Sequence, residues 1–214
     1  MVAPQPSLDL SDPAARRAAE RAVYWSDHGI LRTFWHNFAP VAEGAYRSNH
    51  PTRPRLEAYR ALGIRAVLNL RGSKPTPMYL LERADCAALG LEMHDVALAA
   101  RKPAPRADLL ALFEAFDRIP RPFLMHCKSG ADRAGLASAL YVLDKGGTLP
   151  SARAQLSIRF LHLRFTRTGV QDHLLDLYET RLRDGPIPIR DWIAQEYDPE
   201  ALAASFARKR TLPV

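Results

Sequence analysis

The chain has 214 residues, of which 47% are hydrophobic and 25% are charged, and it carries a net charge of +7. These values exclude a disordered chain and are typical of a globular protein that buries one large core. The sequence contains no uncharged apolar run long enough for a membrane-spanning helix, so no stable membrane insertion is expected.

The N-terminal residues and the cysteines bear on the cellular compartment. Residues 1–11 contain no basic region followed by an apolar stretch, so a cleaved secretion signal is not expected. Cys86 and Cys127 are the two cysteines, which are too few for a disulfide framework. We therefore expect a cytoplasmic protein with reduced thiols.

The positive net charge favours an anionic partner, because arginine side chains bind phosphate and carboxylate groups through two parallel hydrogen bonds. The longest run of basic residues is the triplet at 208–210, and the sequence has no zinc-finger spacing. Nucleic acid is therefore not expected as a partner.

The first third of the chain is predicted to be mostly helical. Asp12 and Pro13 are typical of a helix N-cap and first helical residue, and Gly63 is typical of a residue that ends a helix. The residue patterns predict helices over 12–25, 29–36 and 52–62, an extended segment over 40–48 and a buried strand over 64–70.

Strands and helices alternate in the middle of the chain. The patterns predict helices over 77–89, 106–119 and 130–146, strands over 91–98 and 122–126, and a loop over 99–105. Residues 151–210 are predicted to be helical only. This alternation is typical of an α/β fold with a central, mostly parallel sheet flanked by helices, and we expect extra helices at both ends.

A polar loop follows the predicted strand over 122–126. His126 ends the strand, Cys127 opens the loop, Gly130 lies within it and Arg133 begins the next helix. In an open α/β sheet, ligands bind beyond the carboxyl ends of the strands, and a helix N-terminus at that edge attracts anions. The amides of such a loop can surround one phosphate group.

Cys127 and Arg133 are the residue types that phosphoryl transfer requires. A cysteine at a helix N-terminus is expected to be a thiolate at neutral pH, and hence a strong nucleophile. The guanidinium of Arg133 can bind two phosphate oxygens and offset charge in the transition state. The alternative for Cys127 is a structural role as a buried cysteine. For Cys86 the structural role is the favoured interpretation, and a reversible disulfide with Cys127 is the alternative.

Residues 123–135 resemble the signature loop of the cysteine-based protein tyrosine phosphatases, in the dual-specificity branch. Two more segments carry the resemblance: residues 44–51 and 63–71 are similar to motifs of the compact atypical members from bacteria, plants and fungi. The resemblance implies the compact phosphatase fold. We expect a phosphatase domain over 41–185, a helical extension over 1–40 and a helical tail over 186–214.

The resemblance also implies a role for each residue of the loop. Cys127 is the nucleophile, Arg133 binds the phosphate, and His126 holds the thiolate and the loop by hydrogen bonding. The amides that surround the phosphate belong to Lys128, Ser129, Gly130, Ala131, Asp132 and Arg133. The reaction needs no metal and no cofactor.

Two features depart from the family pattern. The residue after the loop arginine is usually Ser or Thr, whose hydroxyl assists the thiolate as it leaves, and here it is Ala134. The family's general acid is normally an aspartate on a separate loop, but the equivalent segment, 99–105, has no carboxylate. The candidates are Asp132, as in the myotubularin lipid phosphatases, and Asp95, with Asp132 favoured; geometry must decide between them.

The sequence therefore predicts a phosphatase that hydrolyses phosphate monoesters through a phosphocysteine. The leading substrate is phosphotyrosine in a phosphorylated protein. Inositol phosphates or phosphoinositides are the second candidate, because basic residues such as Lys128 can bind additional phosphates. The alternative of another class is a phosphate-binding protein with little or no turnover, which Ala134 and the missing loop acid both favour.

Overall fold

A computed structural model describes residue 10 and residues 12–26 and 35–211. Its strands are β1 (Ala39–Ala42), β2 (Ala45–Ser48), β3 (Ala66–Asn69), β4 (Glu92–Asp95) and β5 (Phe123–His126). They form one sheet in the order β1-β2-β5-β3-β4, in which β1 and β2 are antiparallel and the other neighbours are parallel. The predicted α/β fold with a mostly parallel central sheet is thereby confirmed.

The helices flank this sheet. They are α1 (Pro13–Ser26), α2 (Arg53–Ala61), α3 (Pro77–Leu89), α4 (Arg106–Arg118), α5 (Asp132–Asp144), α6 (Leu149–Arg153), α7 (Val170–Arg181), α8 (Ile189–Gln195) and α9 (Pro199–Thr211). Short 3₁₀ helices cover Ile158–Phe160, Arg167–Gly169 and Leu182–Asp184. Among the helices of the described residues, none combines the length and the apolar character needed to cross a bilayer.

Two of the predicted elements need comment. The segment over 40–48 is not a single extended stretch but an antiparallel hairpin of β1 and β2, which turns at Gly44 with φ +71°. Glycine adopts this left-handed conformation without the steric cost that other residues incur. The helix predicted over 29–36 lies outside the described residues except for its last two positions, which are not helical.

Helices cover both faces of the sheet. Successive residues of a strand point to opposite sides, so each buried strand contacts helices on both faces. On one face, Leu68 and Met125 belong to the main core cluster with Phe113 and Phe116 of α4. On the other face, Val67 packs in a smaller cluster with residues of α2 and α3. Strands buried on both faces explain the nearly continuous apolar runs in the sequence.

The C-terminal helices pack into the main core cluster. Trp192 and Ile193 of α8 and Leu202 of α9 are buried within it. The hydroxyl of Tyr197, between these helices, donates to the carbonyl of Ala104 (2.8 Å). The residues after 186 therefore share their apolar contacts with the central sheet and α4.

The parallel strands end in one row. Ser48 pairs with His126, His126 with Asn69, and Asn69 with Asp95, and each of them is the last residue of its strand. The segments that follow these residues all leave the sheet at the same edge. That edge carries the loop that begins with Cys127.

Candidate active site

The loop after β5 is held in place through its carbonyl groups. Arg47 of β2 is fully buried, and its Nη2 donates to the carbonyl oxygens of Gly130 (2.6 Å) and Ala131 (3.2 Å). Its Nη1 donates to the carbonyl of Gln155 (2.6 Å), and its guanidinium carbon lies 3.8 Å from the centre of the Phe160 ring. Arg47 thus joins the loop to the segment that follows α6.

Two further carbonyl groups of the loop are bound from outside. The side-chain amide of Asn37 donates to the carbonyl of Ser129 (2.8 Å), and the backbone amide of His50 donates to that of Lys128 (3.3 Å). In a planar trans peptide the N–H and C=O groups point in opposite directions. Because its carbonyl groups are held on the outside, the amides of the loop face inward.

The inward-facing amides have little to bind within the protein. The amides of Ser129, Gly130, Asp132 and Arg133 donate to no acceptor in the described part of the chain, and that of Ala131 donates to the Ser129 hydroxyl (3.3 Å). Convergent N–H groups at the start of a helix attract an anion, which supplies the missing acceptors. The arrangement is therefore suited to bind one phosphate group.

Gly130 is required by both its conformation and its surroundings. Its φ is +74°, and a Cβ atom placed on it would lie 2.7 Å from the amide nitrogen of Asn49 and from the carbonyl of Ser48. These contacts are with backbone atoms, which cannot move aside as a flexible side chain can. A larger residue would push the loop away from the end of β2.

Cys127 and Arg133 lie at the two ends of the loop. Cys127 directly follows β5, and its side chain is buried with 2% exposure. Arg133 lies in the first turn of α5, and its Nε is buried without a hydrogen-bond partner among the residues described. An unsatisfied buried guanidinium nitrogen costs free energy, and an anion in the loop would provide its acceptor.

Arg47 remains charged although it is buried. Burial and the positive charge of Arg159 lower the pKa of its guanidinium to about 10, and the carboxylate of Asp132 acts in the opposite direction. At neutral pH the side chain therefore carries a positive charge against the carbonyl groups of the loop.

Asp132 belongs to a row of three side chains whose central member, His162, is buried. Its Oδ1 lies 2.8 Å from Nδ1 of His162, and Nε2 of His162 lies 2.7 Å from Oδ2 of Asp172. Burial opposes a charge on His162, but the hydrogen bonds to the two carboxylates outweigh it and raise the pKa of His162 to about 9. His162 is therefore an imidazolium at neutral pH that donates to both aspartates.

Asp95 lies elsewhere on the same edge. It ends β4, which β3 separates from β5. The side-chain amide of Asn69 donates to its Oδ1 (2.8 Å), and the hydroxyl of Tyr79 donates to its Oδ2 (2.8 Å). The structure thus holds Asp132 beside Arg133 and fixes Asp95 on the far side of Asn69.

A cavity of about 340 Å³ opens beside Asp132. Arg101, from the predicted loop over 99–105, and Arg167 line it. Neither guanidinium has an ion-pair or hydrogen-bond partner within the described ranges, and both side chains are exposed. The cavity therefore places two available positive charges next to the candidate acid.

Two residues singled out by the sequence lie in apolar surroundings. Ala134 is fully buried in α5, and its methyl side chain has no hydroxyl that could donate a hydrogen bond toward the loop. Cys86 of α3 is buried in the smaller core cluster, whereas Cys127 belongs to the main one. Burial, followed by the charge of Glu82, raises the pKa of the Cys86 thiol far above its ordinary value.

Neither a protein-family model nor a curated protein sequence matches the chain. Solved structures do match its fold. TpbA from P. aeruginosa is 19% identical with a TM-score of 0.53, and the match covers 80% of this chain and 91% of TpbA. The core catalytic domain of the PP-IP phosphatase Siw14 from S. cerevisiae is 17% identical with a TM-score of 0.51, covering 84% of this chain and 96% of that domain.

A third structure, Tk-PTP in its active form, is 19% identical with a TM-score of 0.53, and the match covers 68% of this chain and 97% of Tk-PTP. At these identities the comparison establishes the fold. The compact phosphatase fold that the motifs predicted is therefore confirmed.

Proposed function

We propose that the chain is a cysteine-dependent phosphatase that hydrolyses phosphate monoesters through a phosphocysteine intermediate. The observation that carries this proposal is the set of donors around Cys127. Four loop amides and the buried Nε of Arg133 have no acceptor among the described residues, and the loop that carries them begins with the buried Cys127 at the carboxyl edge of the sheet. One phosphate group would satisfy all of these donors together.

In the first step, the Cys127 thiolate attacks the phosphorus atom. The sulfur–phosphorus bond forms while the bond between phosphorus and the ester oxygen breaks. The loop amides and Arg133 hold the three remaining phosphate oxygens and offset their charge in the transition state. The ester oxygen leaves with the bonding electron pair and needs a proton.

We assign the proton transfer to Asp132, which gives its carboxyl proton to the ester oxygen in the first step and is ionised by it. Its position next to Arg133 supports this choice over Asp95, which Asn69 and Tyr79 hold behind β3. In the second step, the ionised Asp132 accepts a proton from water while the water oxygen attacks the phosphorus. Inorganic phosphate and the Cys127 thiolate are then released, which balances the reaction.

His162 supports Asp132 in this proposal. Its hydrogen bond occupies Oδ1 of Asp132, so Oδ2 is the oxygen that exchanges the proton with the substrate. Asp172 holds the other side of the imidazolium and fixes its orientation. We therefore regard His162 as a positioning residue that keeps Asp132 directed at the leaving group.

Phosphotyrosine in a phosphorylated protein is the substrate we favour. One of the similar structures, a variant of TpbA that is 18% identical to this chain, is a complex with phosphotyrosine. Both cysteines are free thiols, which agrees with the proposed cytoplasmic location, where thiols remain reduced.

A multiply phosphorylated small molecule is the second candidate, and the cavity beside Asp132 favours it. Arg101 and Arg167 would bind a second phosphate of the leaving group there. Replacing both arginines with Gln would lower kcat/KM for a multiply phosphorylated substrate. The same variant should have nearly unchanged kcat/KM for an aryl phosphate whose leaving group is uncharged. Equal effects on both substrates would exclude this subsite.

Replacement of the nucleophile tests the proposed function. The protein should hydrolyse an aryl phosphate and be inhibited by vanadate, and Cys127→Ser should abolish hydrolysis. Cys86→Ala is the matched control, since it removes the other buried thiol and should retain activity. Full activity of Cys127→Ser would refute the nucleophile. A phosphocysteine that forms once without turnover would instead identify the phosphate-binding protein that Ala134 favours.

A further inference from the structure

Three buried titratable side chains meet behind the Cys127 loop. His50 follows β2, Glu82 lies in α3 and His126 ends β5, with exposures of 7%, 3% and 0%. Nε2 of His126 lies 2.6 Å from Oε1 of Glu82, and Nδ1 of His50 lies 3.6 Å from Oε2 of Glu82. The proposed reaction uses neither Glu82 nor His50.

The hydrogen bonds of this cluster are incomplete. Both carboxylate oxygens of Glu82 and Nε2 of His126 are inaccessible to solvent, and within the described residues none of them makes a hydrogen bond of acceptable geometry. Nε2 and Oε1 are close, but their orientation is not that of a donor and an acceptor. A buried carboxylate without a suitable donor is strongly destabilising unless a cation compensates it.

The tautomer of His126 adds to this argument. Its Nδ1 lies 3.4 Å from the carbonyl oxygen of Cys127, which can only accept a hydrogen bond. A neutral imidazole that donates there carries its proton on Nδ1 and directs the lone pair of Nε2 at Glu82. This orientation of a histidine by a backbone carbonyl is the usual arrangement behind a metal-binding imidazole.

We propose that His50, Glu82 and His126 bind a divalent transition-metal ion of the zinc type. Two imidazole nitrogens and one carboxylate oxygen are a ligand set that zinc accepts in proteins, and their ligand atoms all lie within 4.8 Å of one another. In a tetrahedral zinc site the ligand atoms are about 3.3 Å apart, so the contact between His126 and Glu82 would lengthen by about 0.7 Å.

Two cavities adjoin the cluster. His50 and Glu82 both line a cavity of about 650 Å³ between α1, α2 and α3, and both also line a smaller one of about 110 Å³. A zinc ion needs a fourth ligand, and these cavities leave room for a water molecule on that side.

The site would stabilise the phosphate-binding loop. His126 directly precedes Cys127, and the His50 amide donates to the carbonyl of Lys128. An ion bound to both histidines would therefore join β5, the residues after β2 and α3 at the base of the loop. With two neutral imidazoles and one carboxylate, a divalent ion leaves one net positive charge behind the nucleophile.

The test uses the full chain with the Cys127→Ser substitution. Bound metal is first removed with a chelator, and Zn²⁺ or Co²⁺ is then added as the probe. We expect one equivalent of Zn²⁺ to bind, to raise the melting temperature and to release protons, since the ligands must be deprotonated. Bound Co²⁺ should give the strong visible absorption of a tetrahedral site. Glu82→Gln should lower Zn²⁺ affinity by at least about tenfold.

Asp85→Asn is the matched control. Asp85 lies in the same helix and lines the same cavity, but it pairs with Arg16 and Arg53 and is outside the cluster. This variant should keep the Zn²⁺ affinity of the parent. Equal losses in the two variants would show that the ion binds elsewhere and would overturn the proposal.

The proposal does not depend on the folding of the Glu82 variant. If Glu82→Gln does not fold, His50→Gln should weaken Zn²⁺ binding and change the Co²⁺ spectrum. Absence of stoichiometric Zn²⁺ and Co²⁺ binding to the folded Cys127→Ser protein would overturn the proposal directly and would indicate a proton-sharing ion pair instead. Binding that requires the Cys127 sulfur would overturn it as well.

Discussion

At the scale of single residues, the candidate site depends on how each buried charge is compensated. Both terminal nitrogens of Arg47 donate to carbonyl groups, and Asp132 pairs with His162. Arg133 makes no side-chain hydrogen bond or ion pair within the described residues, although its Nε is buried. Arg47 and Asp132 therefore hold the site together, whereas the Arg133 side chain remains available to bind a ligand.

Replacement of Asp132 tests the assignment of the acid. Asp132→Asn should lower kcat on an alkyl phosphate by about 100-fold or more, because general acid catalysis contributes about 10²–10⁴-fold and a poor leaving group needs the proton most. The loss on an activated aryl phosphate should be much smaller. The comparison variant is Asp95→Asn, whose kcat is measured on the same two substrates. A larger loss of kcat on the alkyl phosphate in that variant would identify Asp95 as the general acid instead.

The charge of His162 predicts a pH-dependent stability. The pKa of His162 is raised to about 9 in the folded chain. The contribution of the charged His162 to the free energy of unfolding is therefore complete below about pH 6.5 and is lost as the pH rises through 9. The full effect is at most about 3 kcal/mol. Urea unfolding between pH 6 and 10 should show this decline in the parent and a flatter profile in His162→Gln. Identical profiles would show that His162 is not charged.

At the scale of elements, the loop between β5 and α5 is shaped by its neighbours. Arg47 comes from β2, and the close approach of Gly130 to Asn49 comes from the segment after it. Because β2 and β5 are parallel neighbours that pair Ser48 with His126, both segments leave the sheet side by side. The loop conformation thus follows from strand order as well as from its own residues.

A pair of glycine variants tests this close approach. Gly130→Ala and Gly146→Ala both place a side chain at positive φ, but only the first meets backbone atoms, since nothing lies within 4 Å at Gly146. Both should lose about 1–2 kcal/mol of stability. Gly130→Ala should in addition lower kcat/KM by about 100-fold or more, because the donors no longer converge. If both variants kept equal activity, the contact with Asn49 would not shape the site.

At the scale of the whole molecule, the C-terminal helices and the sheet share one core. Trp192 packs against Tyr178 and Tyr197 with ring centres 5.2 and 5.7 Å apart. Arg106 at the start of α4 donates to the carbonyl of Tyr197 (2.9 Å). The helices after residue 186 therefore support α4, which covers one face of the sheet.

The core position of Trp192 predicts a large effect on stability. Trp192 is 5% exposed and Phe165 is 78% exposed. Trp192→Ala should lower the free energy of unfolding by about 3–5 kcal/mol, and Phe165→Ala should change it by less than about 0.5 kcal/mol. Chemical denaturation measures both variants. A small effect of Trp192→Ala would mean that α8 contributes little to the stability of the core.

The sequence by itself determined the α/β class and the segment that carries the candidate chemistry. Buried strands leave continuous apolar runs, and the loop from Cys127 to Arg133 is contiguous, so both are visible without long-range information. The hairpin at Gly44 was missed, because one glycine within an apolar stretch does not distinguish a tight turn from an extended segment.

Only the tertiary structure decided which distant residues surround this segment. Arg47 contacts Gly130, which lies 83 residues later in the sequence, and His162 contacts Asp132, which lies 30 residues earlier. The buried contact between Glu82 and His126 likewise joins a helix to a strand. Such pairs have no local pattern, since burial and strand order, rather than spacing along the chain, bring them within hydrogen-bonding distance.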